Sequence, residues 1–343
     1  MKKFNLVYGI IIVVVILSLS GCFGPDEKEA KSYSPEYFIL CEGNFQQSNS
    51  SLWGVNGDLD SLTGPIYLDS QNPLGDVGQD IATKDGKLFV VMNNSHSLEV
   101  MDVSLENSLS FEISIDLSGM SPRYIAFDDN NAFITSWAIN GILVVDLTTS
   151  EVKDTILLNG KFEDLVQKDG KLYVALNMNS AWVTENKILE ITLSPTPTVT
   201  DTFEVIPGPT TMFLDGDNLF VASVYYGVGW AKFCGTSKIN LSVGNVITKD
   251  HGQGATSDII KVNGQIYQNF NNKILAVNSD LSLDNSNQLG EFSNIYSVWS
   301  DGEFVFVGET DYIAPDTVTV LKASGEVENT FVVGALPGAY CKK

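Results

Sequence analysis

Histidine and cysteine are scarce: two and four in 343 residues. There is no Cys-x-x-Cys pair, and the histidines, His96 and His251, stand alone, which argues against a structural zinc site. No glycine-rich loop follows a strand and opens a helix, which argues against a nucleotide enzyme. Positive charge is short as well, with 20 Lys and Arg against 42 Asp and Glu and a formal charge of −22. Such a surface repels phosphate backbones and anionic lipid, so nucleic acid is not an expected partner. From Tyr37 onward no amphipathic helix can be picked out. What is abundant is 44% hydrophobic residues, enough for a sizeable core. Gly, Asn, Asp and Ser are spread evenly between short apolar runs, the turn chemistry of many short strands.

The long apolar run is confined to the start. Lys2 and Lys3 precede Leu6–Leu17, and Leu19-Ser20-Gly21-Cys22 follows. A basic start, a short apolar stretch and small residues before a cysteine make a bacterial lipoprotein signal peptide. The run is shorter than the ~20 residues of a membrane span. The expected division is a leader over 1–21, a lipidated Cys22 with a flexible tether over 22–36, and a folded domain over 37–343. Without its leader the chain loses two lysines and no acid, leaving a charge near −24. The expected location is the outer membrane, lipid-anchored at the cell surface or its periplasmic face.

The domain is a repeat. Asp85-Gly86, Asp129-Asn130, Asp169-Gly170, Gly216-Asp217, Asn263-Gly264 and Asp301-Gly302 are tight-turn pairs, spaced by 44, 40, 47, 47 and 38 residues. Each precedes an apolar strand such as Leu88–Val91 or Leu219–Val221, as expected of two-residue hairpins with positive φ at both turn positions. Four strands per ~40–45-residue unit is the pattern of a β-propeller. Six units are complete. The chain starts in mid-unit, with Tyr37–Leu40 as a second strand, Ser51–Val55 as a third and 65–68 as a fourth. It ends on a lone first strand, Pro337–Cys341. Joining the ends makes a seventh blade and removes two sheet edges. The fold class is therefore all-β, a seven-bladed propeller of four-stranded antiparallel blades closed by the C-terminal strand, and a monomer.

The same join bears on the cysteines. The hairpin register places Cys341 opposite Phe38, with Cys41 three residues further on. At ~3.3 Å per residue that separation is near 10 Å, beyond the ~7 Å a disulfide spans. Cys41 and Cys341 are therefore expected to remain unbonded. The acidic run Asn56-Gly57-Asp58-Leu59-Asp60 lacks the spacing and closing glutamate of a calcium loop, and reads as a turn between third and fourth strands.

Four segments together resemble a known family: Glu42-Gly43-Asn44-Phe45, Leu74–Ile81, Met92-Asn93-Asn94-Ser95 with Leu98-Glu99-Val100, and Ser121-Pro122-Arg123-Tyr124-Ile125. They resemble Bacteroidetes-type surface lipoproteins built as seven-bladed propellers with YVTN-like repeats. The resemblance implies the fold from about Tyr37 to the C-terminus, a surface location, and a TonB-dependent outer-membrane transporter as partner. One branch of that family captures cobalamin, so a corrinoid is one candidate ligand among several.

In a propeller, the loops entering first strands and those between second and third strands share one face. Here that face carries long, uneven loops, while the opposite face has only tight turns. Long loops on a rigid scaffold are where binding concentrates. Candidate ligand-binding residues are Phe45, His96, Trp137, Trp182, Tyr225, Tyr226, Trp230 and Tyr312, rings that stack on planar or amphipathic ligands. Tyr225, Tyr226 and Trp230 stand out as three rings within six residues. Arg123, at a first-strand entrance, is a further candidate, with Asp80 or Asp164 as its expected ion-pair partner. Asp80, Asp164 and Asp258 recur near first-strand starts, which a repeat explains without catalysis. The leading functional expectation is a non-catalytic module, without metal or cofactor, that binds a small nutrient for a transporter. A protein-interaction or adhesion platform comes second and a propeller hydrolase third.

Overall fold

The computed structural model describes residues 35–66, 74–104, 109–313 and 315–343. The leader, Cys22 and nearly all of the tether lie outside the described residues.

Alternating apolar residues in short strands need cover on both faces, and the structure supplies it by stacking sheets. Seven four-stranded antiparallel sheets form a ring. Blades 1 to 6 span 78–116, 122–157, 160–204, 209–253, 259–291 and 295–333. Blade 7 joins Pro337–Lys342 to Pro35–Cys41, Ser51–Asn56 and Leu62–Ile66. In that join Phe38 faces Cys341 and Cys41 faces Pro337. The register is the one the sequence implied, and Cys41, Cys234 and Cys341 are all free thiols.

Strand alternation sends neighbouring side chains to opposite blade faces. Tyr37 and Ile39 pack with Phe306 and Val318 of blade 6. Phe38 and Leu40 pack with Ile81 and Leu88 of blade 1. Each of the seven blade interfaces has such a cluster. A fully buried Phe, Leu or Ile contributes about 1.5–3 kcal/mol, so the ring is held by interfaces and not by isolated sheets.

The tight turns only partly follow expectation. Asp85-Gly86, Asp169-Gly170 and Asn263-Gly264 have positive φ at both positions. At Gly216-Asp217 and Asp301-Gly302 only the glycine does. Asp301 Oδ1 instead accepts the backbone N–H groups of Glu303 and Phe304. Asp128 Oδ1 does the same for Asn130 and Asn131. An acceptor side chain at the turn thus replaces the special backbone conformation. The 56–60 run is a turn, with Asn56 Oδ1 accepting from the backbone of Asp60 and Ser61.

The two faces are distinct. Trp137 N–H donates to the Ser121 carbonyl, which joins a second-to-third-strand loop to a first-strand entrance on the loop face. Val103 N–H donates to Gly86 O on the turn face. The described chain begins at Pro35 on the turn face, where Tyr37 OH meets Asp301 of a blade 6 turn at 3.0 Å. The first strands surround a central cavity of about 360 Å³, lined from Glu42 and Gln79 at the loop face down to Ala82, Phe213 and Ser300.

Candidate functional site

Each first strand delivers two successive side chains to the cavity region, one toward the mouth and one deeper. The deeper position is Asp80 in blade 1, Asp164 in blade 3 and Asp258 in blade 5. All three line the cavity, and each carboxylate accepts a backbone N–H from the next blade. The bonds run from Ile125 at 2.9 Å, Met212 at 2.6 Å and Val298 at 2.8 Å. Burial pushes Asp80 up to about 7 and Asp258 up to about 6. Asp164 is raised well above the carboxylate range by burial, with Asp80 and Asp258 adding repulsion. These acids staple consecutive blades, the structural role that the repeat implied. Among the described residues no group of three or more His, Cys, Asp or Glu is placed to hold a metal ion.

The mouth position is Gln79, Arg123, Glu163 and Tyr296 in blades 1, 2, 3 and 6. Arg123 is the sole arginine of the chain. Its expected partners, Asp80 and Asp164, are engaged with backbone amides. It pairs instead with Glu163 Oε2, through Nη2 at 2.8 Å and Nε at 3.1 Å, while Nη1 donates to Gln79. Its guanidinium lies 4.4 Å from the Trp137 ring centroid, a stacked cation–π contact. Burial opposes the Arg123 charge, but Glu163, Tyr124 and Glu42 outweigh it and hold the group protonated.

Glu42 completes the mouth. It leaves the end of the Pro35–Cys41 strand, lies over the first strand of its own blade and lines the cavity. The close approach explains Gly338: an added Cβ there would sit 2.7 Å from Glu42 Oε1. Burial raises Glu42 above its ordinary value, partly offset by a hydrogen bond from the Tyr296 hydroxyl and by the Arg123 charge. Glu163 is raised by burial too, against the pull of Arg123. The site is thus two glutamates of elevated proton affinity, one fixed cation and the hydroxyl of Tyr296, of which Glu42 lines the cavity. That arrangement can move a proton and stabilise a developing anion.

The candidate rings divide into groups. Trp137 lies under Arg123 and donates to Phe162 O at 3.1 Å. Trp182 meets Trp137 edge-on at 5.5 Å, with Lys161 Nζ 4.8 Å from its ring. Tyr312 meets Tyr296 edge-on at 6.5 Å. Phe45 is exposed in the loop after Glu42. Tyr225 and Tyr226 belong to a strand, since the hairpin extends to Tyr226 and Lys232. Tyr225 stacks on Phe233 at 5.4 Å and donates to Asp250, away from the mouth. Tyr226 and Trp230 pair at 6.1 Å at that hairpin's tip. His96 is a turn residue whose Nδ1 accepts the Ser121 N–H. Glu42, Gln79, Glu163 and Tyr296 were not picked out as site residues from sequence. The available signal was position: Gln79 and Glu163 immediately precede the recurring Asp80 and Asp164.

No protein-family model and no curated protein matches the chain. Solved structures do match its fold. A candidate 6-phosphogluconolactonase from Bacteroides fragilis aligns with a TM-score of 0.67 and 12% identity, over 91% of this chain and 99% of that one. A candidate 6-phosphogluconolactonase from Bacteroides uniformis aligns at 0.66 and 13%, over 89% and 98%. A periplasmic gluconolactonase from Pseudomonas aeruginosa aligns at 0.61 and 14%, over 88% and 98%. Identities this low carry the fold alone. The leading expectation of a non-catalytic nutrient-binding module does not stand against these names, since propellers that match nearly end to end are named as lactonases. The fold this chain shares with them is the seven-bladed β-propeller.

Proposed function

We propose that the protein is a hydrolase that opens a neutral sugar-acid lactone at the mouth of its central cavity. The carrying observation is Glu42, a carboxyl of raised proton affinity beside the cavity, facing the fixed charge of Arg123. Ionised Glu42 takes a proton from water as the water oxygen attacks the lactone carbonyl. The oxygen of that carbonyl becomes anionic, and the Tyr296 hydroxyl donates to it, with the Arg123 charge nearby acting as a field and not as a hydrogen-bond partner. The ring C–O bond breaks, the departing oxygen takes the proton back from Glu42, and the product is the hydroxy acid. A base with elevated proton affinity suits this task near neutral pH.

Neutral substrate follows from charge. Arg123 is held by Glu163 and Gln79, and Lys161 donates to the Trp137 carbonyl. A phosphorylated lactone would bring its charge to the Glu42 and Glu163 carboxyls with both nearby cations already engaged. The neighbours' names support lactone chemistry, while the phosphate that two of them carry in their names does not suit the charge of this mouth.

The test is turnover of glucono-1,5-lactone followed by acid release. Wild type should exceed the uncatalysed rate, and Glu42→Gln should lower kcat by about 100-fold or more with an unchanged melting temperature. A wild type no faster than buffer sinks the reading. We also infer from the leader pattern that Cys22 carries lipid. Cys22→Ser should then move the protein from the membrane fraction to the soluble one, and retention in membranes contradicts the anchor.

A further inference from the structure

Three rim aromatics combine two properties that the fold does not reward. Trp182, Trp230 and Tyr312 have backbone φ of 64°, 63° and 68°. Bulky side chains disfavour that left-handed region, where Gly or Asn is at ease. The same residues are 58%, 85% and 59% exposed, so packing does not offset the strain. Strained, exposed rings at loop tips point to a ligand.

Their placement defines its shape. Trp182 and the Tyr226–Trp230 pair sit on blades 3 and 4. Tyr312 sits on blade 6 and Phe45, 64% exposed, on blade 7. Asn44 Nδ2 donates to Tyr312 O at 3.0 Å and ties those two loops together. In a ring of seven, blade 3 lies directly opposite the seam between blades 6 and 7. Two aromatic stations therefore face each other across the mouth. The catalytic groups lie along the same diameter, with Tyr296 and Glu42 at one end and Arg123 and Glu163 at the other.

We propose that this rim binds an extended neutral saccharide, laid across the disc so that a lactone or ester it carries sits over Glu42; this rests on the hydrolase reading. Sugar rings have apolar C–H faces, which match exposed aromatic rings; here each station also carries an exposed aliphatic neighbour, Val183, Val228 or Ile313. Around those rings Asn44, Asn49 and Asn179 hold the loops through their own hydrogen bonds, and Gln47 is exposed two residues from Phe45. A protein partner would favour a contiguous apolar patch over stations on separate loops. The charge of −22 disfavours polyanionic chains.

The test is calorimetric titration of the full-length chain with neutral hexasaccharides of β-1,4-glucan, α-1,4-glucan, xylan and mannan, with glucose as the short control. At least one hexasaccharide should bind about 100-fold more tightly than glucose, and Trp182→Ala and Trp230→Ala should each weaken it about tenfold. Trp230→Ala, at the exposed tip of the blade 4 hairpin, should keep the wild-type melting temperature and the wild-type kcat/KM for glucono-1,5-lactone. No hexasaccharide binding, or binding indifferent to both substitutions, overturns the platform while leaving the lactonase intact. So does Trp230-dependent binding to phosphatidylcholine vesicles without saccharide binding, which would make the rim a membrane contact. Saccharide binding that needs both tryptophans, in a protein that does not turn over the lactone, upholds the platform and removes the hydrolase.

Discussion

Arg123 shows how much one side chain can settle. It is the chain's sole arginine, and it is buried with Glu163, the two side chains being 17% and 7% exposed. Removing it would strand a carboxylate already pushed upward by burial. Arg123→Met should therefore destabilise the protein by about 3–5 kcal/mol in urea unfolding at pH 8. The loss should be smaller at pH 5, where the unpaired Glu163 can take up a proton, and adding Glu163→Gln should restore much of it. Equal stability of wild type and single variant at pH 8 would remove the pair from the account. The sequence pattern placed Arg123 at a first-strand entrance but assigned it the wrong partners. Asp80 and Asp164 are nearest in motif, yet strand alternation turns them to the neighbouring blade's amides and leaves the preceding residue facing the mouth. Glu42 and Glu163 are 121 positions apart in the chain, and only ring closure brings them together.

At the scale of strands and loops, legibility follows locality. Blade count, strand order and the closing join were readable because hydrophobic alternation and turn residues act within a few positions. The Phe38–Cys341 pairing came from the same local register carried across the join. Loop lengths were less readable. Tyr225, Tyr226 and Trp230 read from sequence as one cluster on the loop face, but cross-strand pairing extends the hairpin to Tyr226 and Lys232 and leaves a tip of 227–231. Aromatic and β-branched residues favour strands as much as binding loops, so Tyr225 became part of the hairpin stem. Gly208 shows a further constraint that sequence hides: its φ is 69°, and an added Cβ would run into the Val224 carbonyl oxygen. The turn face was predictable in position but not in backbone type, because an Asp acceptor and a positive-φ pair close the same two-strand gap.

The whole ring carries a pH signature. Burial pushes Asp80 up to about 7 and Asp258 up to about 6 in the folded protein, and raises Asp164 well above its ordinary value, because it penalises the charged form. An acid raised by folding favours the native state when protonated. Its contribution is complete below the unfolded value, near 4, and is lost as pH climbs through the folded values. Stability should therefore fall between pH 5 and 8, by up to about 1.4 kcal/mol per pH unit for each titrating group. Exposed acids lowered by local hydrogen bonds, such as Asp102, Asp116 and Asp146, act in the opposite direction only at more acidic pH. Urea midpoints across this range check the slope, and Asp80→Asn should flatten it while keeping an oxygen for the Ile125 amide. A midpoint that rises with pH would show that these staples are charged throughout.

The central claim is that the mouth is catalytic through Glu42, and the pH dependence of kcat/KM for glucono-1,5-lactone tests it most directly. The account predicts a rate that rises with pH through an apparent pKa above the usual glutamate value, as burial of Glu42 requires. That limb should disappear in Glu42→Gln along with nearly all of the activity. A profile that matches uncatalysed hydrolysis, or one unchanged by Glu42→Gln, would contradict the account.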